Sequence, residues 1–379
     1  MALDLPLAQP SDDRIPVTLL TGFLGSGKTT VLNRLLAQPS LKSSAVIINE
    51  FGEIGLDHEL VTAVTENMVL LQSGCLCCSI RGDLIETLHD LLEKSALGEI
   101  SAFDRVIIET TGLADPAPIL HTLMTDQVLA SQFRLDGIVT TIDAATAMAT
   151  LDQQVESVKQ AAVADRLLLT KTDLVSPDMA QMVEARLAAI NPGAPVTRVH
   201  NGVVDPVGLF NIGLFDPSSK GAEVEAWLNQ EAYAEAGQRP GNVNRHDDSI
   251  RAVSLTIDRP IALPILDLWL DTLMGLQGPD LLRMKGLINV EGAAGPMLIH
   301  GVQHIFHPPV LLDAWPSLDH RTRIVLIARN VAPRIIEDSL MFLRSAAAGG
   351  GTAPLSASIG GVELDPLMGS ARAKQASRT

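Results

Sequence analysis

Gly22-Phe23-Leu24-Gly25-Ser26-Gly27-Lys28-Thr29 fits the pattern G-x-x-x-x-G-K-[ST]. It follows the apolar run Val17–Leu20 and opens a helical segment at Thr30. Strand, glycine-rich loop and helix in that order give the pattern its mechanism. Glycines let successive backbone N–H groups face one concavity, and the helix start adds partial positive charge beneath a bound phosphate. Gly22 through Thr30 are therefore expected to bind a nucleotide. Lys28 should reach the β- and γ-phosphates, and the Thr29 hydroxyl should hold Mg²⁺.

Outward from this loop, short β-branched runs alternate with helical stretches. The runs are Pro16–Gly22, Ala45–Glu50, Arg105–Thr110, Gly137–Asp143, Arg166–Asp173 and Pro195–Val199. The helical stretches include Thr29–Gln38, Asp83–Ser95, Pro116–Leu129 and Asp178–Ile190. Continuous apolar strands separated by helices imply an α/β fold: a P-loop NTPase with a mostly parallel sheet covered by helices on both faces. Strand-like runs with two helical segments over 249–344 suggest a small α+β C-terminal domain. The expected organisation is a flexible leader at 1–14, a P-loop domain at 15–215, a helix and linker at 216–248, the α+β domain, and a disordered Ala/Gly/Ser-rich tail at 345–379.

The run Val106–Glu109, followed by Thr110, Thr111 and Gly112, resembles a Walker B strand joined to a γ-phosphate sensor. Glu109 stands where Ras-like proteins usually carry Asp. It can reach Mg²⁺ through water or orient the attacking water, and the Gly112 N–H can contact a γ-phosphate. Lys28, Glu109 and Gly112 are the candidate catalytic residues. Thr170, Lys171, Thr172 and Asp173 end a strand-like run. A carboxylate there can accept hydrogen bonds from guanine N1 and N2, with Lys171 along the base plane. Thr170 replaces the Asn of the usual Asn-Lys-x-Asp, and losing that amide would loosen the loop or weaken selectivity. Asn191–Pro195 is a turn that could close over the base.

All three cysteines, Cys75, Cys77 and Cys78, fall within four positions. Three close thiols suit a soft divalent ion such as Zn²⁺, with one tetrahedral position left open; small buried residues are the plain alternative. Asn49–Asp57 holds two glycines and several acids. Asp57 is the preferred further Mg²⁺ ligand, and Glu50 or Glu53 could approach the metal. His300, His304 and His307 could share a helical face, though Pro308-Pro309 makes a strand or turn equally compatible.

The net charge of −16 argues against nucleic-acid or anionic-membrane partners. No stretch reaches the roughly 18 apolar residues of a spanning helix. The N-terminus does not resemble a signal peptide, so the expected compartment is the cytoplasm.

Together and in this order, GFLGSGKTT, NEFGEIGLD, GCLCC, ETTGLADP and TKTD resemble the CobW family of metal-handling GTPases over roughly residues 15–344. The resemblance implies GTP as substrate, Zn²⁺ (or Co²⁺ or Fe²⁺) on Cys75, Cys77 and Cys78, and delivery of that ion to an apo-metalloenzyme client at the cost of GTP hydrolysis. It leaves room for a nucleotide- or metal-dependent oligomer. The alternatives are a P-loop kinase for a small molecule and a zinc-sensing regulatory GTPase that delivers nothing.

Overall fold

The computed structural model describes residues 14–48, 69–72, 80–210, 212, 224, 228–233, 250–303, 305–348, 357–359, 362–365 and 370–373. The chain divides into two compact units, one over Asp12–Leu214 and one over Phe215–Thr379. No helix among the described residues is long and apolar enough to cross a membrane.

The first unit is built on seven strands: β1 Ile15–Gly22, β2 Ser44–Ile48, β3 Val69–Gln72, β4 Arg105–Glu109, β5 Phe133–Asp143, β6 Arg166–Thr170 and β7 Val196–Arg198. Their order is β3-β2-β4-β1-β5-β6-β7. Every pairing is parallel. The central strands are buried along nearly their whole length, which is why they read as unbroken apolar runs rather than alternating ones. Between them run α1 Lys28–Leu36, α2 Ile80–Ala96, α3 Ala117–Thr125, α4 Gln127–Gln132, α5 Ala147–Gln153, α6 Val155–Val163 and α7 Pro177–Ile190. The segment expected as one helix over Pro116–Leu129 is two. The Asp126 side chain accepts from Val128 N and Leu129 N and restarts the helix there.

β1 lies at the centre, with β4 and β5 on either side. Ligands of open parallel sheets gather where the strand order reverses, outside the carboxyl ends of the strands. Pairing puts four of those ends in one row. Leu20 of β1 is level with Glu109 of β4, Glu109 with Ile48 of β2, and Ile48 with Gln72 of β3.

The second unit holds an antiparallel sheet of β8 Ile250–Ile257, β9 Leu281–Ile288, β10 Met297–Val302, β11 Ile305–Phe306, β12 Val310–Leu311 and β13 Thr322–Arg329. One face packs on α8 Leu263–Gln277 and α9 Pro333–Ala348 through Trp269, Met284, Ile299, Leu326 and Phe342. Trp269 Nε1 donates to Ser339 Oγ at 2.6 Å, joining the two helices. The tail, expected to be disordered, carries three short antiparallel strands: β14 Ala357–Ile359, β15 Val362–Asp365 and β16 Ser370–Ala373. The strands are only three or four residues long within an Ala/Gly/Ser-rich stretch, too short for periodicity to stand out, and they pair through a backbone ladder.

Candidate functional site

β1 ends at Gly22, whose φ of 144° suits glycine. A β-carbon there would overlap Thr141 Oγ1, so the loop can leave the sheet only by passing tight against β5. Ser26 Oγ and Thr141 Oγ1 share a hydrogen bond of 2.7 Å across this gap. The N-cap of α1 is Gly27, and no side chain caps the helix start. Its first N–H groups are thereby left for an anion. Phe23 is half-buried, Leu24 and Gly25 are exposed, and Thr30 is exposed in the first turn of the helix. Lys28 is buried, with Nζ donating to Gly22 O at 3.0 Å and Phe23 O at 3.3 Å. The ammonium is thus folded over the mouth of the loop.

Thr29 Oγ1 donates to Glu109 Oε1 at 2.9 Å. Glu109 is buried at the end of β4. A hydroxyl and a carboxylate converging beside a phosphate loop are the hard oxygen donors that Mg²⁺ prefers, so these residues fit that ion. The chain leaving β4 is fastened to β1: Thr110 N donates to Leu20 O at 3.0 Å, and Thr110 Oγ1 donates to Thr21 Oγ1 at 2.8 Å. Gly112 then touches the phosphate loop itself, since a β-carbon on it would lie 2.5 Å from Leu24 N. From the other side, Gln160 Nε2 reaches Gly112 O and Ala114 O, and Lys159 Nζ reaches Asp115 Oδ2 at 2.8 Å.

At the end of β6, Thr170 Oγ1 lies 2.7 Å from Ser26 O and 3.1 Å from Ile142 O. A hydroxyl rather than an amide fastens this loop to the phosphate loop. Lys171 adopts φ 54° and its Nζ donates to Asp143 Oδ2 at 2.8 Å. Thr172 and Asp173 lie in the short turn Thr172–Leu174, with Asp173 exposed. Thr172 Oγ1 and His200 Nδ1 share a bond of 3.3 Å. His200 follows β7, the neighbour of β6, and only that adjacency could have singled it out from sequence. Asn191, which opens the turn expected to close over the base, is buried and donates to Ala161 O, Ala162 O and Ala164 O at the end of α6.

The structure therefore brings Gly22–Thr30, Glu109, Gly112 and Thr170–Asp173 to one edge of the sheet. Glu50, Glu53, Asp57, Cys75, Cys77 and Cys78 lie outside the described residues, as does His304. His300 and His307 belong to the second unit and do not sit on a helix. His300 is in β10, and its ring stacks on His307 with centroids 4.7 Å apart and planes 7° from parallel. Burial holds the His300 pKa well below the usual 6.5, helped by His307, Arg283 and Lys285. Stacked rings do not aim their nitrogens at one point, and among the described residues no group of three or more His, Cys, Asp or Glu could hold a metal ion.

Fold and phosphate cradle together define the class: this is a P-loop GTPase. Residues 16–198 match the family described as CobW/HypB/UreG, nucleotide-binding domain, and residues 250–343 match the cobalamin synthesis protein cobW C-terminal domain. The chain belongs to the CobW family. It is 35% identical over 292 residues to the zinc chaperone YjiA of Escherichia coli (strain K12), covering 77% of this chain and 87% of that protein. It is 30% identical over 327 residues to the zinc chaperone CobW of Sinorhizobium sp, covering 78% and 87%. The crystal structure of the Zn(II)-bound YjiA GTPase from E. coli superposes with a TM-score of 0.69 at 30% identity, covering 87% of this chain and 99% of that one.

Proposed function

We propose that this protein is a GTP-hydrolysing metallochaperone. It binds Zn²⁺, as cargo, on the thiolates of Cys75, Cys77 and Cys78 and passes it to an apo-client enzyme in step with GTP hydrolysis. The observation that carries this reading is the row of strand ends. Gln72, three residues before Cys75, is level with Ile48 and through it with Glu109. Neighbouring strands are about 4.8 Å apart, so the chain enters the cysteine segment roughly 10 Å from Glu109. The names of the relatives point the same way.

In this reading the backbone N–H groups of Gly22–Thr30 and the Lys28 ammonium bind the phosphates, and Asp173 with Lys171 reads guanine. Thr29 and Glu109 would hold Mg²⁺, which when bound neutralises charge developing on the β- and γ-phosphate oxygens. Asp57 is the proposed further ligand. Water attacks the γ-phosphorus and the bond to the β–γ bridging oxygen breaks. The electron pair stays on GDP, and water's proton leaves with inorganic phosphate. Loss of the γ-phosphate removes the partner of the Gly112 loop. The 49–57 and 73–79 segments, which leave the same sheet edge, then grip the ion differently, with Glu50 and Glu53 near it. Coupling of this kind requires that the ion bind the two nucleotide states unequally. Transfer follows as each client donor replaces a thiolate.

The test is zinc stoichiometry and nucleotide turnover, with the triple variant Cys75→Ser/Cys77→Ser/Cys78→Ser beside the wild type. The variant should lose stoichiometric zinc while still hydrolysing GTP in preference to ATP. Zinc retained by the variant, or ATP turned over as readily as GTP, contradicts the proposal. Capture of the GTP-loaded protein from metal-starved cells, with metal analysis of what it binds, would then identify the client.

A further inference from the structure

Gln160 is fully buried on α6, yet its side chain is not used within that helix. Its Nε2 crosses to the loop after β4, lying 3.3 Å from Gly112 O and 3.1 Å from Ala114 O. These two acceptors bracket Leu113, which is exposed. The helix carrying Gln160 is itself fixed to the sheet, because Thr140 Oγ1 donates to Gln160 O at 3.0 Å. Asn191 makes a telling contrast: its buried amide spends its donors on the last carbonyls of α6, as a structural cap does. Among the described residues Gln160 Oε1 accepts no hydrogen bond. An amide buried with its oxygen unserved is a poor packing element. What it offers is its pair of donors to the loop.

We infer that Gln160 is a positioning residue for GTP hydrolysis, holding the peptide planes at Gly112–Leu113 and Ala114–Asp115 in the orientation that serves the γ-phosphate. In a trans peptide the C=O and the following N–H point in opposite directions. Drawing Gly112 O and Ala114 O toward α6 turns the Leu113 and Asp115 N–H groups away from α6. Gly112 is at the same time pressed against Leu24 of the phosphate loop. The loop is thus pre-set, with its carbonyls held from α6 and its backbone in contact with the cradle. Pre-organised donors at a site of developing charge need no reorganisation at the moment of reaction. The Lys159–Asp115 pair, at 2.8 Å, fixes the far end of the same loop.

The inference rests on the GTP-hydrolysing part of the proposed function and not on metal transfer. Gln160→Met keeps the length of the side chain and removes both donors. Its affinities for GDP and for a non-hydrolysable GTP analogue are measured beside kcat and the thermal midpoint. GDP affinity should stay within about twofold, while analogue affinity falls about tenfold and kcat falls about 10- to 100-fold, up to the cost of a roughly 1 Å misplacement. If Gln160→Met does not fold, Gln160→Asn, one methylene too short for the span, takes its place with the same readouts. Equal proportional loss of GDP and analogue affinity, or unchanged kcat, overturns the inference. Failure of the wild type to hydrolyse GTP would instead overturn the function proposed above.

Discussion

Adding a β-carbon at Gly112 would bring it within 2.5 Å of Leu24 N and 2.7 Å of Leu24 Cα, which are backbone atoms that cannot swing aside. The loop cannot retreat either, because Gln160 and the Thr110–Thr21 bond hold it from two other directions. Gly112→Ala should therefore displace the loop by a fraction of an ångström or more. We expect GTP hydrolysis to fall about 10- to 100-fold, the scale of a roughly 1 Å misplacement, measured as single-turnover rate with saturating nucleotide. Unchanged hydrolysis would mean that the contact is not used. Lys28, Thr29 and Gly112 could be singled out in sequence because each sits in a short motif, the phosphate loop for the first two and a strand ending in a carboxylate with glycine three residues on for the third. Gln160 and His200 could not. Their contacts are with residues 48 and 28 positions away in the chain, and nothing in local spacing marks a glutamine among alanines. Thr170 could be seen as a departure from Asn, but its bond to Ser26 O needs the fold.

Helices and strands of the first unit were legible where burial on both sides enforces an unbroken apolar run, as in β1, β4 and β6. The break between α3 and α4 was not, since the apolar pattern runs straight through it. The signal lies in Asp126, whose carboxylate serves two N–H groups. Asp126→Ala should cost about 1 kcal/mol as a lost N-cap, read as a lower denaturant midpoint with an unchanged slope. A shift of that midpoint by less than a few tenths of a kcal/mol would show that the cap is redundant. Of the two forms the histidine spacing left open, helix and strand or turn, the structure shows the second. Spacings of four and three suit a helix, but β10 turns back through Gln303 into β11, and the reversal stacks His307 on His300 instead. The short strands β14–β16 are held by backbone pairing that composition does not report.

Two groups of the second unit tie its stability to pH. His300 is held well below 6.5 by burial first, then by His307, Arg283 and Lys285. The unfolded chain therefore takes up that proton more readily than the folded one, and stability falls as pH drops below 6.5. Asp319 is lowered from 3.8 to about 2, chiefly by its hydrogen bond from Arg321. Its contribution is present above 3.8 and is lost as pH falls from there toward about 2. The stability of the second unit should thus fall from about pH 7 to 5 with a contribution from His300, and His300→Gln should reduce that slope; an equal slope in both proteins would place the titration elsewhere. In the function proposed above, the work rests on the sheet edge where the ends of β1, β4, β2 and β3 lie in register. The most direct test is a zinc titration against a competing chelator, with the protein loaded first with a non-hydrolysable GTP analogue and then with GDP. Zinc affinity should differ at least about tenfold between the two states, which corresponds to roughly 1.4 kcal/mol of coupling. Identical affinity in both states would contradict the account.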